Sequence, residues 1–458
     1  MNFNQKTKRL ITSLCLLFAV LVAQAQNSTP GTHWEQYQQV TDAGFSPQQL
    51  ALASEQFKAS NGDVLMVVRN GKVVLAHGDI TRRYMAHSIR KAFMSALYGI
   101  HEQAGSIKLN HSLKTMGIDD IHNLTETEKT ATIRDLLSAR SGVYLPAAYS
   151  PRGMEKRLPE RGSHLPGAHW YYNNWDFNTL LTIFEKQTRK GFKDEFQQRI
   201  SSVIGMEDFR ESDIYFRIEK EKSMHPAYLF KMSTRDMARF GQLYLNEGAW
   251  GGEQVIPKQW IATSTSIISK DLGSFSNRGG FGYLWWVADE VIGERCYYTS
   301  GSGGHRIIVF PESDLVIVHR VNTYEGNKVS GNDLVELVKK ILAARTGQPK
   351  DNAPTTTLDP GYNLPKTIAL DSAVIRSYEG SYKHPFLGYF TVRLEGKETF
   401  LDTNIGSFKM FAVDRDLFVP EDLETPMQFV PAPDAASKFT IKPVFGENKQ
   451  LEKGIMFY

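Results

Sequence analysis

Two apolar hairpins far apart in the chain constrain its fold more than any other feature. The first joins residues 64–68 to residues 72–76 through Asn70 and Gly71. An Asn-Gly pair closes a two-residue hairpin because both central positions need positive φ. The second joins residues 306–310 to residues 315–321 through Pro311, Glu312, Ser313 and Asp314, residues suited to a turn. Between them the pattern is mainly helical. Residues 88–100, 132–137 and 177–190 read as helices, and Ser233 to Asp236 caps a further amphipathic helix over residues 237–245. The aromatic run 281–287 reads as a strand, and residues 333–345 as a last helix. The order hairpin, helical middle, hairpin, helix predicts an α/β (α+β) domain. Its antiparallel sheet is built from both ends, flanked by helices, with a helical insertion between.

The flanking segments read differently. Residues 1–25 carry Lys6, Lys8 and Arg9, then an apolar stretch over residues 10–22, then Ala23-Gln24-Ala25. This is the pattern of a secretory signal peptide, too short for a stable membrane span. Leu14 precedes Cys15, where a lipid-attachment site would want a small residue. The expectation is an exported protein, periplasmic or secreted, with no stable membrane anchor and a main domain over residues 26–345. Residues 144–169 are rich in Pro, Gly and Arg and read as surface loops. Residues 346–372, with three consecutive threonines and several prolines, read as a linker. Residues 373–458 alternate short apolar runs with turns, the pattern of a small all-β accessory domain.

Composition removes some classes of function. With 53 basic and 50 acidic side chains the net charge is only +3, and no concentrated basic run follows the N-terminus, so nucleic acid is not an expected partner. Removal of the leader would leave Cys296 as the one cysteine. That excludes an intramolecular disulfide and a cysteine-rich zinc site. No His-Glu-x-x-His cluster occurs either, so neither a metal nor a cofactor is expected.

Three short motifs carry chemistry. Ser88-Ile89-Arg90-Lys91 is the sole Ser-x-x-Lys of the chain. A serine hydroxyl needs a neighbouring base to become a nucleophile, and positions i and i+3 of a helix share a face. Lys91 can be that base once burial or nearby cations lower its pKa. Ser88 in the first helical turn would also find unpaired backbone N–H groups for an oxyanion. The plain alternative is a capping serine followed by a solvated lysine. The second motif is a Tyr-x-Asn after Pro166-Gly167, a phenol to shuttle a proton and an amide to bind substrate; Tyr172-Asn173-Asn174 fits it, and so do Tyr171-Tyr172-Asn173 and, elsewhere, Tyr244-Leu245-Asn246. Its plain alternative is aromatic packing at a helix start. The third runs from Tyr298 through Thr299, Ser300, Gly301, Ser302, Gly303 and Gly304 to His305, before an apolar strand. Glycines there admit close approach to backbone, and a strand N–H can complete an oxyanion site. A simple turn is the alternative. His87 and His305 raise a Ser-His arrangement as a competing reading, but no Gly-x-Ser-x-Gly elbow surrounds Ser88.

Taken jointly and in order, these motifs resemble the serine β-lactamase and penicillin-binding-protein superfamily, in particular its class C-like serine hydrolases and esterases. Further landmarks are Ile133-Arg134-Asp135-Leu136-Leu137 before Ser141-Gly142, Asp236 through Leu245, and Phe281 through Trp286. The resemblance spans about residues 50 to 345. It implies a covalent acyl-enzyme on Ser88, proton transfer shared by Lys91 and Tyr172, and substrate contacts from Asn174, Thr299, Gly301, Ser302 and His305. It also implies an accessory role for the β-tail. The third motif departs from the family pattern: Thr299-Ser300-Gly301 is the best register, and the usual preceding Lys or His is absent. A substrate carboxylate would then be held less well. The Gly-Gly-His run is similar to the branch of 6-aminohexanoate-dimer hydrolases. The expected substrates are therefore small esters or amides, before β-lactams or D-amino-acid peptides. A non-catalytic penicillin-binding-like sensor is the alternative of another class. A chain cut near Gly347 is expected to fold and still acylate at Ser88, since the tail contains none of these motifs. The sequence leaves the oligomeric state open.

Overall fold

A computed structural model describes residues 28–151, 153–359, 366–384, 388–403, 406–421, 426–431 and 439–443. The expected signal peptide lies outside them. Among the described residues no helix is long and apolar enough to cross a membrane.

The first hairpin forms as expected. Strands β2 (Val64–Arg69) and β3 (Lys72–His77) pair across a turn in which Asn70 and Gly71 have φ of 51° and 65°. The second hairpin, β10 (His305–Phe310) with β11 (Leu315–Arg320), turns at Asp314 with φ 49°. The two hairpins meet through β2 and β11, fully buried antiparallel neighbours that start at opposite ends of the domain. Around this centre lies a nine-stranded sheet. On one side β3 is followed by β1 (Glu35–Tyr37) and β12 (Thr355–Thr357). On the other, β10 is followed by β9 (Tyr297–Gly301), β8 (Trp286–Val287) and β7 (Gly280–Phe281). All pairings are antiparallel except a single parallel contact, Gln36 with Val73.

Two expectations need correction here. The run 281–287 is two short strands, β7 and β8, that pair with each other, because the chain reverses at Leu284 with φ 66°. The segment expected as a linker contributes β12: three β-branched threonines that extend the sheet by pairing with β1.

Alternate sheet residues face opposite ways, and each face has its own cover. Leu65, Val67, Ile317 and Phe310 pack on the terminal helices α1 (Pro47–Ala59) and α5 (Gly331–Ala343). Met66, Val68, Val316, Val318 and Ile307 pack on the helical middle, which includes α2 (Arg90–Gln103), α3 (Asn174–Thr188) and α4 (Thr234–Leu245). Capping chemistry starts each of the last two helices: Asn173 accepts from Trp175 N, and Ser233 from Asp236 N. The described residues beyond 379 form a separate all-β half-barrel, a seven-stranded antiparallel meander from Gly380–His384 to Phe439–Pro443. Its interior is filled by Phe390, Val392, Leu401, Phe408, Phe418 and Phe429.

Candidate active site

The nucleophile motif sits on a sharp turn. A two-residue strand, β4 (Tyr84–Met85), pairs with Lys231 and Met232 of β6 (Ala227–Met232). The chain then kinks at His87, whose φ of 49° is left-handed and costs a non-glycine residue about 1–2 kcal/mol. A 3₁₀ turn, His87–Ile89, leads directly into α2. Ser88 therefore stands at a helix start, where N–H groups lack intrahelical acceptors. Lys91 is one turn on and only 3% exposed, and its Nζ donates to Ser88 Oγ at 2.8 Å. Its Nζ also lies 4.8 Å from the ring centroids of both Tyr172 and Phe177.

Burial, with the positive charge of Arg90 added, pushes the Lys91 ammonium well below its ordinary value. Among the described residues no carboxylate pairs with it to reverse that shift. Arg90 was not singled out in the sequence, although a lysine base calls for a nearby cation. It is itself buried, stacked 4.3 Å over the Tyr228 ring and donating to Asn178 Oδ1 at 3.4 Å. Burial raises the Tyr172 pKa, outweighing the opposing influence of the nearby Ser88 hydroxyl and of the Arg90 and Arg278 charges, so it remains a protonated phenol at neutral pH. Ser88, Lys91 and Tyr172 thus converge on one point.

The third motif supplies a strand edge beside that point. Strand β8 pairs with β9 only at Tyr297 and Tyr298, leaving Thr299, Ser300 and Gly301 without a strand partner on that side among the described residues. Gly301 packs against the nucleophile turn: a Cβ there would lie 2.8 Å from Ala86 O and 3.3 Å from His87 Cβ. Glycine is needed for that approach. Ser302 is exposed in the following turn, while the Thr299 side chain is buried beneath the strand. Asn174 begins α3 and is largely buried, with its amide donating to Met154 Sδ at 3.4 Å beside a small cavity lined by Leu145, Leu158 and Tyr171.

His305 is placed differently from the expectation. Its ring is 0% exposed and its Nδ1 accepts from Arg320 Nε at 2.9 Å, so no face is left for a substrate. Arg320 also donates to Met232 O at 2.7 Å and Tyr84 O at 3.0 Å, tying β4 and β6 to the main sheet. The Ser-His reading loses support as well. His87 Nε2 is engaged by Thr323 Oγ1 at 2.9 Å, and burial, with nearby cations, lowers its pKa to about 3.

One wall of the site could not be found from local patterns. Tyr172 stacks on Trp286 at 5.8 Å, with Trp170, Phe275 and Phe281 around them. Arg278 lies 5.0 Å from the Phe275 ring and 5.2 Å from Trp286, without an acidic partner among the described residues. These residues come from two stretches about a hundred positions apart, 170–172 and 275–286.

The sequence pattern of the family described as Beta-lactamase matches residues 51–340. The chain belongs to the beta-lactamase family. Its fold is that of the family's serine hydrolases, whose members act on small molecules. Among solved structures, a Bacillus anthracis protein described provisionally as a 6-aminohexanoate-dimer hydrolase superposes with a TM-score of 0.51 at 21% identity, covering 69% of this chain and 88% of that one. A class C beta-lactamase gives 0.50 at 15% identity, covering 68% and 99%. Such identities speak for the fold alone. An uncharacterized protein of Alkalihalophilus pseudofirmus is 27% identical over 117 residues, 24% of this beta-lactamase-family chain and 34% of that protein. The match thus spans about a third of that relative's length.

Proposed function

We propose that this protein is an exported serine hydrolase that cleaves small ester or amide bonds through an acyl-enzyme on Ser88. The observation that carries the reading is the buried Lys91 amine 2.8 Å from Ser88 Oγ, with no carboxylate partner among the described residues. In its neutral form that nitrogen takes the Ser88 proton as Oγ attacks the substrate carbonyl. The oxyanion is held by the N–H of Ser88 and by a backbone N–H near Ser302, on the free stretch of β9. Tyr172 passes a proton to the leaving oxygen or nitrogen, and the acyl group stays on Oγ. Water then attacks the ester, gives its proton to the Tyr172–Lys91 pair, and Ser88 leaves as the alcohol.

Small neutral substrates are preferred because Tyr298, not a cation, precedes Thr299. The likeness to a protein described as a 6-aminohexanoate-dimer hydrolase agrees with that choice. Hydrolysis of p-nitrophenyl acetate by the wild type and by Ser88→Ala tests the assignment, and equal rates would sink it. A panel of esters, amides and cephalosporins separates the substrate classes; rapid cephalosporin turnover would favour a β-lactamase, and stable acylation without turnover a sensor. Export is tested by the N-terminus of the mature protein, expected at Gln26.

A further inference from the structure

The half-barrel carries none of the catalytic motifs, yet it packs on the segment that presents Ser88. Met85, three residues before the nucleophile, is 3% exposed, and its side chain belongs to the barrel's own core, among Phe408, Met410 and Phe390. Its backbone N–H donates to the Tyr324 hydroxyl at 2.9 Å, and the Tyr324 ring stands edge-on to Phe408 at 6.1 Å. Thr323, the residue before Tyr324, is the partner of His87. The barrel therefore bears on both the strand before the nucleophile turn and the loop that holds His87.

Polar contacts reinforce this docking. Arg83 bridges Asp213 at 3.1 Å and Glu421 of the barrel at 2.8 Å, and Arg210 donates to both Glu421 oxygens at 3.0 Å. Lys231, the β6 partner of Met85, donates to Ser407 O at 2.9 Å and lies 4.4 Å over the Phe408 ring. Arg83 and Lys231 are both almost fully buried. A left-handed residue such as His87 persists only where its surroundings over-determine it, and here part of those surroundings is the barrel.

We infer that the C-terminal half-barrel braces the nucleophile turn, with Met85, Phe408 and Glu421 as positioning residues that set the Ser88 hydroxyl for attack. The inference rests on the Ser88 acyl-enzyme reading, and it reverses the expectation that a chain cut near Gly347 would still acylate. Loss of the brace lets the turn relax from the left-handed conformation, which moves Oγ away from Lys91 and Tyr172 without touching the substrate wall. The cost therefore falls on kcat, not on KM.

The test uses the full chain. Met85→Ala, Met85→Leu, Phe408→Ala and Glu421→Gln are compared for p-nitrophenyl acetate turnover, for the rate of fluorophosphonate labelling at Ser88, and for thermal melting. Met85→Ala and Phe408→Ala are expected to lower kcat and labelling about tenfold, the scale of a sub-ångström misplacement, with KM within about twofold of wild type. Met85→Leu, which refills the barrel core, is expected to restore both rates. Glu421→Gln gives a smaller loss of the same kind and replaces Met85→Ala if that variant does not fold. Folded Met85→Ala and Phe408→Ala proteins that label at the wild-type rate overturn the inference. Wild-type hydrolysis by Ser88→Ala would instead overturn the functional reading.

Discussion

Replacing Gly301 by alanine tests whether the third-motif strand is part of the reaction site. The backbone at Gly301 has φ −104° and ψ 151°, open to any residue, so the substitution carries no conformational penalty. Its effect is steric. The new Cβ would lie 2.8 Å from Ala86 O, 2.9 Å from His305 Cβ and 3.3 Å from His87 Cβ. Optimal carbon contacts lie at about 3.5–4.0 Å, so the gap must open by roughly half an ångström or more. His305 is fixed by Arg320, which leaves the Ala86–His87 side to move. Overpacking of this size costs about 1–3 kcal/mol of stability. The same shift carries Ser88 away from the strand edge. A 1 Å misplacement costs about a hundredfold, so half of that predicts about a tenfold loss of kcat, or ~1.4 kcal/mol in the barrier. Steady-state hydrolysis of p-nitrophenyl acetate with a parallel thermal melt reads both quantities. A variant that melts lower yet keeps wild-type kcat would refute the placement of the oxyanion site on this strand.

Lys91→Met is expected to abolish turnover and also to stabilise the fold at neutral pH. The folded value of Lys91 lies below 10.5, so the unfolded chain binds the extra proton and stability rises as pH climbs toward 10.5. The gain from Lys91→Met should therefore shrink along that window in melts recorded at several pH values. In the wild type the acid limb of kcat/KM should fall below the ordinary lysine value, since Lys91 must be neutral; a limb near 10.5 would exclude it as the base. Tyr172→Phe should lower kcat about 10²–10⁴-fold with little change in melting temperature, because it removes only a proton carrier. Arg320→Met should destabilise by about 3 kcal/mol in denaturant titration, since it strips the donor from Met232 O, Tyr84 O and His305 Nδ1 together.

What the sequence revealed was whatever local chemistry controls. Asn70-Gly71 dictated a turn that needs two positive φ angles, and Ser88 and Lys91 lie one helical turn apart whatever surrounds them. The rest depended on tertiary neighbours. His305 follows glycines and so read as part of a substrate loop; only the position of Arg320 shows that its ring is sealed inside. The run 281–287 has strand-prone residues throughout. The chain nevertheless reverses at Leu284, and beside that reversal Gly282 lies so close to the Ser264 and Ser266 carbonyls that a Cβ would clash with both. Thr355, Thr356 and Thr357 are good strand formers, but their prolines on either side suggested a tether; the pairing with β1 depends on residues over three hundred positions earlier. Met85 looked like an ordinary apolar residue, and its burial in a different domain's core left no local trace.

The pairing of β2 with β11 has a kinetic consequence. Val64–Arg69 and Leu315–Arg320 are the middle of the sheet, yet nearly the whole domain separates them in the chain. Each hairpin can close within microseconds of its own accord, but their union must wait until the helical middle has compacted enough to bring the ends together. Until then two apolar ribbons present open edges to any other chain in the same state. Renaturation yield should consequently decline as protein concentration rises, and the interval before β2 meets β11 is when the chain is most exposed to chaperones and proteases.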